Sequence, residues 1–135
     1  MNKDYELLLP GDLVSKRNHR ITEETLSLYL SAVQDKSDVF FDSYGVKIAP
    51  PMAIAALSLR GVIEDLEIPG GTLHVGQETS NIGPVSIGSK LMCEANVVTN
   101  AVRVGWRFLT VALKVTTSEE TLVLSGKSTI MLPEA

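Results

Sequence analysis

The segment from residue 32 to residue 59, AVQDKSDVFFDSYGVKIAPPMAIAALSL, has features expected of a site that transfers protons. It opens in a polar loop beginning near Asp35 and closes in an apolar helix that starts at Pro50-Pro51. Proton transfer requires groups within hydrogen-bonding reach of their targets, and histidine serves most often. No histidine lies between His19 and His74. Asp35 is therefore either one half of a proton-transfer pair or a polar residue that ends a preceding helix.

The other residues with chemical potential favour structural roles. Cys93 alternates with apolar neighbours in a predicted strand, which is typical of a packed core thiol rather than a nucleophile. His74 also lies in a predicted strand, and we expect a structural or surface histidine there. His19 lies in a charged run, and we expect it to be solvated. No His, Cys, Asp or Glu cluster has metal-ligand spacing, so we expect no metal and no other cofactor.

Composition narrows the function classes. The 135 residues fit a single domain over residues 1–135. A net charge of −4 without a basic patch argues against nucleic-acid binding. One cysteine cannot form an internal disulfide, and this favours a cytoplasmic protein. No segment approaches the ~18 apolar residues of a membrane span, and no secretory signal is evident.

The first half of the sequence predicts two helices after a short strand at Leu13 to Arg20. Thr22 can cap a helix that runs to about Gln34, and a loop follows. Proline suits the first turn of the second helix, which we expect to start at Pro50-Pro51. Because this helix is apolar on every side, we expect it to be buried.

From Thr72 onward, apolar residues recur with period two, which indicates long antiparallel strands. One predicted strand places Leu91, Cys93, Ala95, Val97 and Thr99 on a single face. Turns are predicted at residues 99–101 and 118–120. One buried helix held against one antiparallel sheet is an α+β arrangement, and a curved sheet wrapped around a central apolar helix is the hot-dog fold.

Three stretches carry a resemblance to a known family. They are APPM at residues 49–52, LHVGQE with GPVSIGSKL at residues 73–91, and the closing hairpin at residues 108–134. In order and spacing they resemble the MaoC-like (R)-specific hydratases and dehydratases. The closest branch is the N-terminal, fatty-acid-synthase-like dehydratase domain, and the resemblance covers nearly the whole chain. It implies a lyase fold of fatty-acid metabolism.

The resemblance also implies which positions would do chemistry. In active members the loop before the central helix reads roughly Gly-Asp-x-Asn-Pro-apolar-His, and the Asp and His hydrate an enoyl thioester reversibly. Carried over, Asp35 keeps the acid, while Ser37 and Asp38 fall in the Asn and Pro slots. Phe40 falls in the His slot, and phenylalanine cannot move a proton.

The predicted helix start bears on substrate binding. By resemblance, Ala49, Pro50, Pro51 and Met52 line the acyl tunnel and the site that binds the thioester oxygen. Active relatives place a glycine amide there, whereas Pro51 has no N–H. Losing one such donor costs on the order of 10²–10³ in rate.

The resemblance therefore implies the non-catalytic subunit of a two-chain 3-hydroxyacyl thioester dehydratase. Such a chain shapes the acyl tunnel while a partner supplies the Asp-His pair. The implied partners are an acyl-CoA or acyl-carrier-protein thioester and, in a homodimer or heterodimer, a second hot-dog chain. Two alternatives stay open: a self-sufficient hydratase using Asp35 with His74, and a hot-dog thioesterase or acyl-CoA-binding module using Asp35 or Asp38.

Overall fold

The computed structural model of this chain describes residues 5–22, 24, 40–41, 47–48 and 51–133. Most of the predicted first helix lies outside the described residues, as do Asp35, Ala49 and Pro50 of the predicted site.

The described elements are one short 3-10 helix, seven strands and one long helix. The 3-10 helix is Tyr5–Leu7, and the long helix, α1, is Pro51–Asp65. The strands are β1 (Leu13–Arg20), β2 (Phe40–Phe41), β3 (Lys47–Ile48), β4 (Leu73–Asn81), β5 (Lys90–Arg103), β6 (Trp106–Thr117) and β7 (Leu122–Pro133).

Five strands form one antiparallel sheet in the order β1-β5-β6-β7-β4. Within the described part of the chain, β1 and β4 are its two edges, and β2 pairs only with β3. The long central strands alternate buried and partly exposed residues, so one face of the sheet packs inward. Helix α1 lies against that face, and the α+β hot-dog prediction is confirmed.

The core has two parts that follow the length of α1. Beside the first half of the helix, the buried cluster consists of Ile21, Ile54, Ala55, Val85, Leu91, Cys93, Val115, Val123 and Leu124. Beside the second half, it consists of Val62, Leu66, Ala95, Val97, Leu109, Val111, Leu113, Ile130 and Leu132. The position of a residue relative to these clusters therefore tells which end of α1 it lies near.

The prediction that α1 is buried on every side is wrong. Ala53, Ile54 and Val62 are buried, whereas Ala56 is exposed and Ile63 is 44% exposed. A single sheet covers only one side of the helix. The apolar composition of the opposite side is therefore not matched by burial within the described residues.

The hairpin predicted at residues 99–101 is also wrong. β5 continues to Arg103, and the chain turns at Val104 and Gly105, whose φ angles are 51° and 80°. Such a two-residue turn fits the twist of the flanking strands. An irregularity between Val97 and Thr99 also turns Thr99 out of the buried face. The turn predicted at residues 118–120 is confirmed between β6 and β7.

Candidate active site

The described backbone brings a short strand pair up to the start of α1. Phe40 pairs with Ile48, and Phe41 pairs with Lys47. The helix then begins at Pro51, with Met52 next. A proline at this position contributes no N–H to a site at the helix start. The assignments of Asp35, Ala49 and Pro50 lie outside the described residues and stay predictions, as does the functional assignment of Phe40.

The core wall beside the first half of α1 is apolar and holds the single cysteine. Cys93 is 4% exposed and packs with Ile54 and Leu91. Burial raises the pKa of its thiol to about 11. At neutral pH the side chain is therefore a protonated, inaccessible thiol, and the packed-core interpretation is confirmed.

His74 has one ring nitrogen fixed by a buried hydroxyl. Its Nε2 lies 2.6 Å from Oγ of Ser128, a residue of β7 that is 0% exposed. The β4 register shifts between His74 and Gly76, and such a bulge re-aims a side chain at a sheet edge. Because Ser128 is fully buried, it cannot act as an accessible nucleophile. Its hydroxyl instead fixes the orientation of the imidazole.

The second histidine is not the solvated residue that its charged sequence context predicted. Nε2 of His19 is buried and has no hydrogen-bond partner in the described part of the chain. Burial lowers the pKa of His19, and the nearby cations of Arg17 and Arg60 lower it further, while Glu64 opposes them. His19 is shielded from solvent because β1 lies against α1.

Charged side chains attach β1 to the end of α1. Asp65 accepts hydrogen bonds from Oγ of Ser15 at 2.7 Å and from Nη2 of Arg17 at 2.6 Å. Arg17 also binds Glu64, and these two carboxylates raise its pKa. Gly61 permits this close approach, since an added Cβ would lie 2.8 Å from Oγ of Ser15. This network holds the helix on the edge strand.

The two histidines lie at different points along α1. Arg60, which faces His19, is about 13 Å along the helix axis from Pro51, at ~1.5 Å per residue. His74 lies opposite Ile130, which packs in the cluster that contains Val62. The resemblance instead places proton transfer at the start of α1. His74 thus lies away from the part of the helix where the missing imidazole is needed. His19 pairs with Leu91, which packs beside the first half of α1.

An open groove of about 780 Å³ lies elsewhere, on the solvent face of the sheet. Its floor includes a row in which Glu94 of β5 pairs with Lys16 of β1 and with Lys114 of β6. Opposite charges therefore occupy facing positions on neighbouring strands. The floor of this groove is mostly charged and polar, so the groove is a poor candidate for an acyl site.

The described ranges contain no group of three or more His, Cys, Asp or Glu arranged to hold a metal ion. No helix among the described elements is long and apolar enough to cross a bilayer.

Comparisons with known proteins identify the family from a family model and the fold from solved structures. The family described as "FAS1-like, dehydratase domain region" matches residues 9–125. A UPF0336 protein from Saccharopolyspora erythraea is 27% identical over 126 residues, which cover 84% of this chain and 81% of that protein.

Two solved structures illustrate the shared fold. The (R)-hydratase PhaJ1 from Pseudomonas aeruginosa superposes with a TM-score of 0.81 at 24% identity, covering 99% of this chain and 88% of that one. The HadBC complex from Mycobacterium tuberculosis, named as a 3R-hydroxyacyl-ACP dehydratase, gives a TM-score of 0.73 at 20% identity, covering 97% and 99%. At these identities the likeness concerns the fold.

Proposed function

The chain belongs to the family of FAS1-like dehydratase domains, and from that premise we propose a role in a two-chain enzyme. The chain is a hot-dog subunit of an (R)-specific enoyl-thioester hydratase, or in reverse a 3-hydroxyacyl-thioester dehydratase. It shapes the tunnel for the acyl chain, and a second hot-dog chain supplies the Asp-His pair.

The placement of the only two histidines is the observation that carries this proposal. His74 lies beside the C-terminal half of α1, and Nε2 of His19 is buried near the cations of Arg17 and Arg60. By the resemblance, Phe40 falls in the slot where active relatives have histidine. Hydration adds the oxygen of water to the β carbon and a proton to the α carbon of the enoyl thioester. Without a properly placed acid-base pair, the rate of each proton-transfer step falls by a factor of about 10²–10⁴.

The open edge of the sheet supports a partner chain. β4 has nine residues, contains no proline and pairs only with β7 among the described strands. Leu73 and Val75 on it are 49% and 50% exposed. A long uncovered edge of this kind is a template for another strand. The HadBC dehydratase, whose fold this chain shares, is named as a complex, which agrees with a two-chain arrangement.

The helix start supports the same division of labour. Pro51 cannot donate a backbone hydrogen bond to a thioester oxygen, so this helix start lacks one oxyanion donor. The exposed apolar side chain of Ala56 in the next turn can still contribute to a wall for an acyl chain. The described start of α1 therefore offers apolar surface for binding while Pro51 withholds one donor that the chemistry uses.

The self-sufficient alternative would require His74 as the partner of Asp35. His74 lies opposite Ile130, beside the C-terminal half of α1, and its Nε2 contacts Ser128. Both observations weigh against a role at the helix start within the same chain.

The proposal is tested by assaying hydration of crotonyl-CoA with this chain alone, with a hot-dog chain carrying the complete dyad, and with both. We expect no hydration by this chain alone and hydration by the complex. A homogeneous preparation of this chain that hydrates crotonyl-CoA refutes the proposal. Release of free thiol without hydration would instead indicate a thioesterase.

A further inference from the structure

His74 is an anchored imidazole at an open edge. Nε2 is 2.6 Å from the buried Oγ of Ser128, while Nδ1 has no hydrogen bond to any described residue. The residue itself is exposed, so Nδ1 is available to an incoming group. A fixed ring with one free nitrogen loses little conformational entropy when it binds a ligand.

The fold determines what an edge partner would bring near His74. Two related chains that join by a twofold axis pair their edge strands antiparallel. If the axis passes near the middle of β4, at Gln77, His74 lies across from the partner position equivalent to Ser80. In this chain, that end of β4 continues to Asn81, which pairs with Leu124.

Leu124 packs with Ile54 in the cluster beside the first half of α1. The Ser80-Asn81 end of β4 is thus the end next to the helix start. A partner with the same fold has its own helix start at the equivalent place. In an edge-paired dimer of this kind, His74 therefore lies nearer to the start of the partner's α1 than to the start of its own.

Resting on the proposed function, we infer that His74, held by Ser128, is a substrate-binding residue that this chain contributes to the partner's acyl-thioester site. In the tautomer in which the Ser128 hydroxyl donates to Nε2, the ring N–H is at Nδ1. Nδ1–H then donates a hydrogen bond to an oxygen of the bound thioester. The partner keeps the Asp-His pair that transfers protons.

The first test follows the imidazole signals by NMR. The chain contains two histidines, so His19 is an internal control. We expect the His74 signal to shift when the dyad-bearing partner is added and to shift again with crotonyl-CoA. The His19 signal, which belongs to the opposite edge strand, should stay in place. A complex that forms and binds crotonyl-CoA without moving the His74 signal overturns the inference.

The second test uses kinetics of the reconstituted complex. His74→Phe keeps a planar ring but removes both nitrogens, and we expect kcat/KM to fall about tenfold, the effect of one hydrogen bond near 1.4 kcal/mol. Ser128→Ala removes the anchor and should lower kcat/KM in the same direction. His74→Gln retains an N–H donor and should recover part of the loss. His19→Gln should leave kcat/KM unchanged.

The outcomes separate this inference from the proposed function. A complex that hydrates crotonyl-CoA at the wild-type kcat/KM after His74→Phe overturns the inference and leaves the two-chain function intact. A complex in which crotonyl-CoA moves the His74 signal but undergoes no hydration removes the proposed function and retains the His74 contact. Thermal unfolding of each variant before mixing distinguishes loss of binding from loss of fold.

Discussion

Replacing Gly126 with alanine should loosen the edge strand on which the partner is proposed to dock. Gly126 of β7 pairs with Thr79 of β4. An added Cβ would overlap the backbone carbonyl oxygen of Glu78 and lie 3.2 Å from both Cα and Cγ2 of Thr79. Because the carbonyl oxygen and the Cα are backbone atoms, no side-chain rotation relieves the overlap. The two strands must move apart.

The size of the effect follows from three contributions. Overpacking a well-fitted site costs about 1–3 kcal/mol. Separating the strands weakens roughly one or two ladder hydrogen bonds, each worth about 1 kcal/mol. In the opposite direction, alanine restricts the unfolded chain and so stabilises the folded protein by about 0.4–1 kcal/mol. The expected net loss in the free energy of unfolding is about 3 kcal/mol.

A loss of this size is readily measured by thermal unfolding. At about 2.1 cal/mol/K per residue, a chain of 135 residues has an unfolding entropy near 0.28 kcal/mol/K. The melting temperature should therefore fall by about 10 °C. Gly76→Ala is the matched control in the neighbouring strand, since its Cβ would lie 3.9 Å from Cβ of Thr129, an ordinary contact. Equal stability of the two variants, or a Gly126→Ala protein as stable as the wild type, would refute the reasoning.

Three further predictions concern side chains on the buried face. Folding lowers the pKa of His19, so the unfolded chain takes up the proton first and stability should fall as the pH drops below about 6.5. His19→Gln should flatten this part of a profile of melting temperature against pH. An unchanged slope would contradict the prediction. With a thiol pKa of about 11, Cys93 should react with a thiol reagent at pH 8 only after denaturation, and rapid labelling of the folded protein would show that it is accessible. Ser15→Ala removes the 2.7 Å hydrogen bond to Asp65 and should lower the free energy of unfolding by about 1 kcal/mol in a denaturant titration. Asn18→Ala, at an exposed position of β1, should change it by less than about 0.5 kcal/mol. Equal losses in the two variants would argue against the network.

Local patterns were sufficient to predict several elements. The alternation of Leu13 to Arg20 gave the bounds of β1, and the two prolines placed the start of α1 within one residue. Ser118 to Glu120 predicted the turn before β7 because these polar residues break the apolar alternation, and the structure places them between β6 and β7. These features depend on neighbours in sequence, which is why the sequence alone contains them.

The errors come from contacts between distant residues. Thr99 and Asn100 are common in turns, but their pairing with Thr110 and Leu109 of β6 keeps them in the strand. Val104 conceals the true turn, since a β-branched residue rarely adopts a positive φ.

The histidine environments depend on tertiary structure in the same way. His19 is shielded because β1 lies against α1, and the contact between His74 and Ser128 joins residues 54 positions apart. No local pattern signals either arrangement. The alternation of His74 in a predicted strand indicated only that it would lie on one face of the sheet.

The central claim is that proton transfer in the assembled enzyme belongs entirely to the partner chain. It is tested most directly by measuring kcat for crotonyl-CoA hydration by the reconstituted complex after Asp35→Asn in this chain. We predict a kcat close to that of the unmodified complex, while replacing the dyad histidine of the partner lowers it by about 10²-fold or more. A loss of that size from Asp35→Asn, with the complex still assembled, would contradict the account.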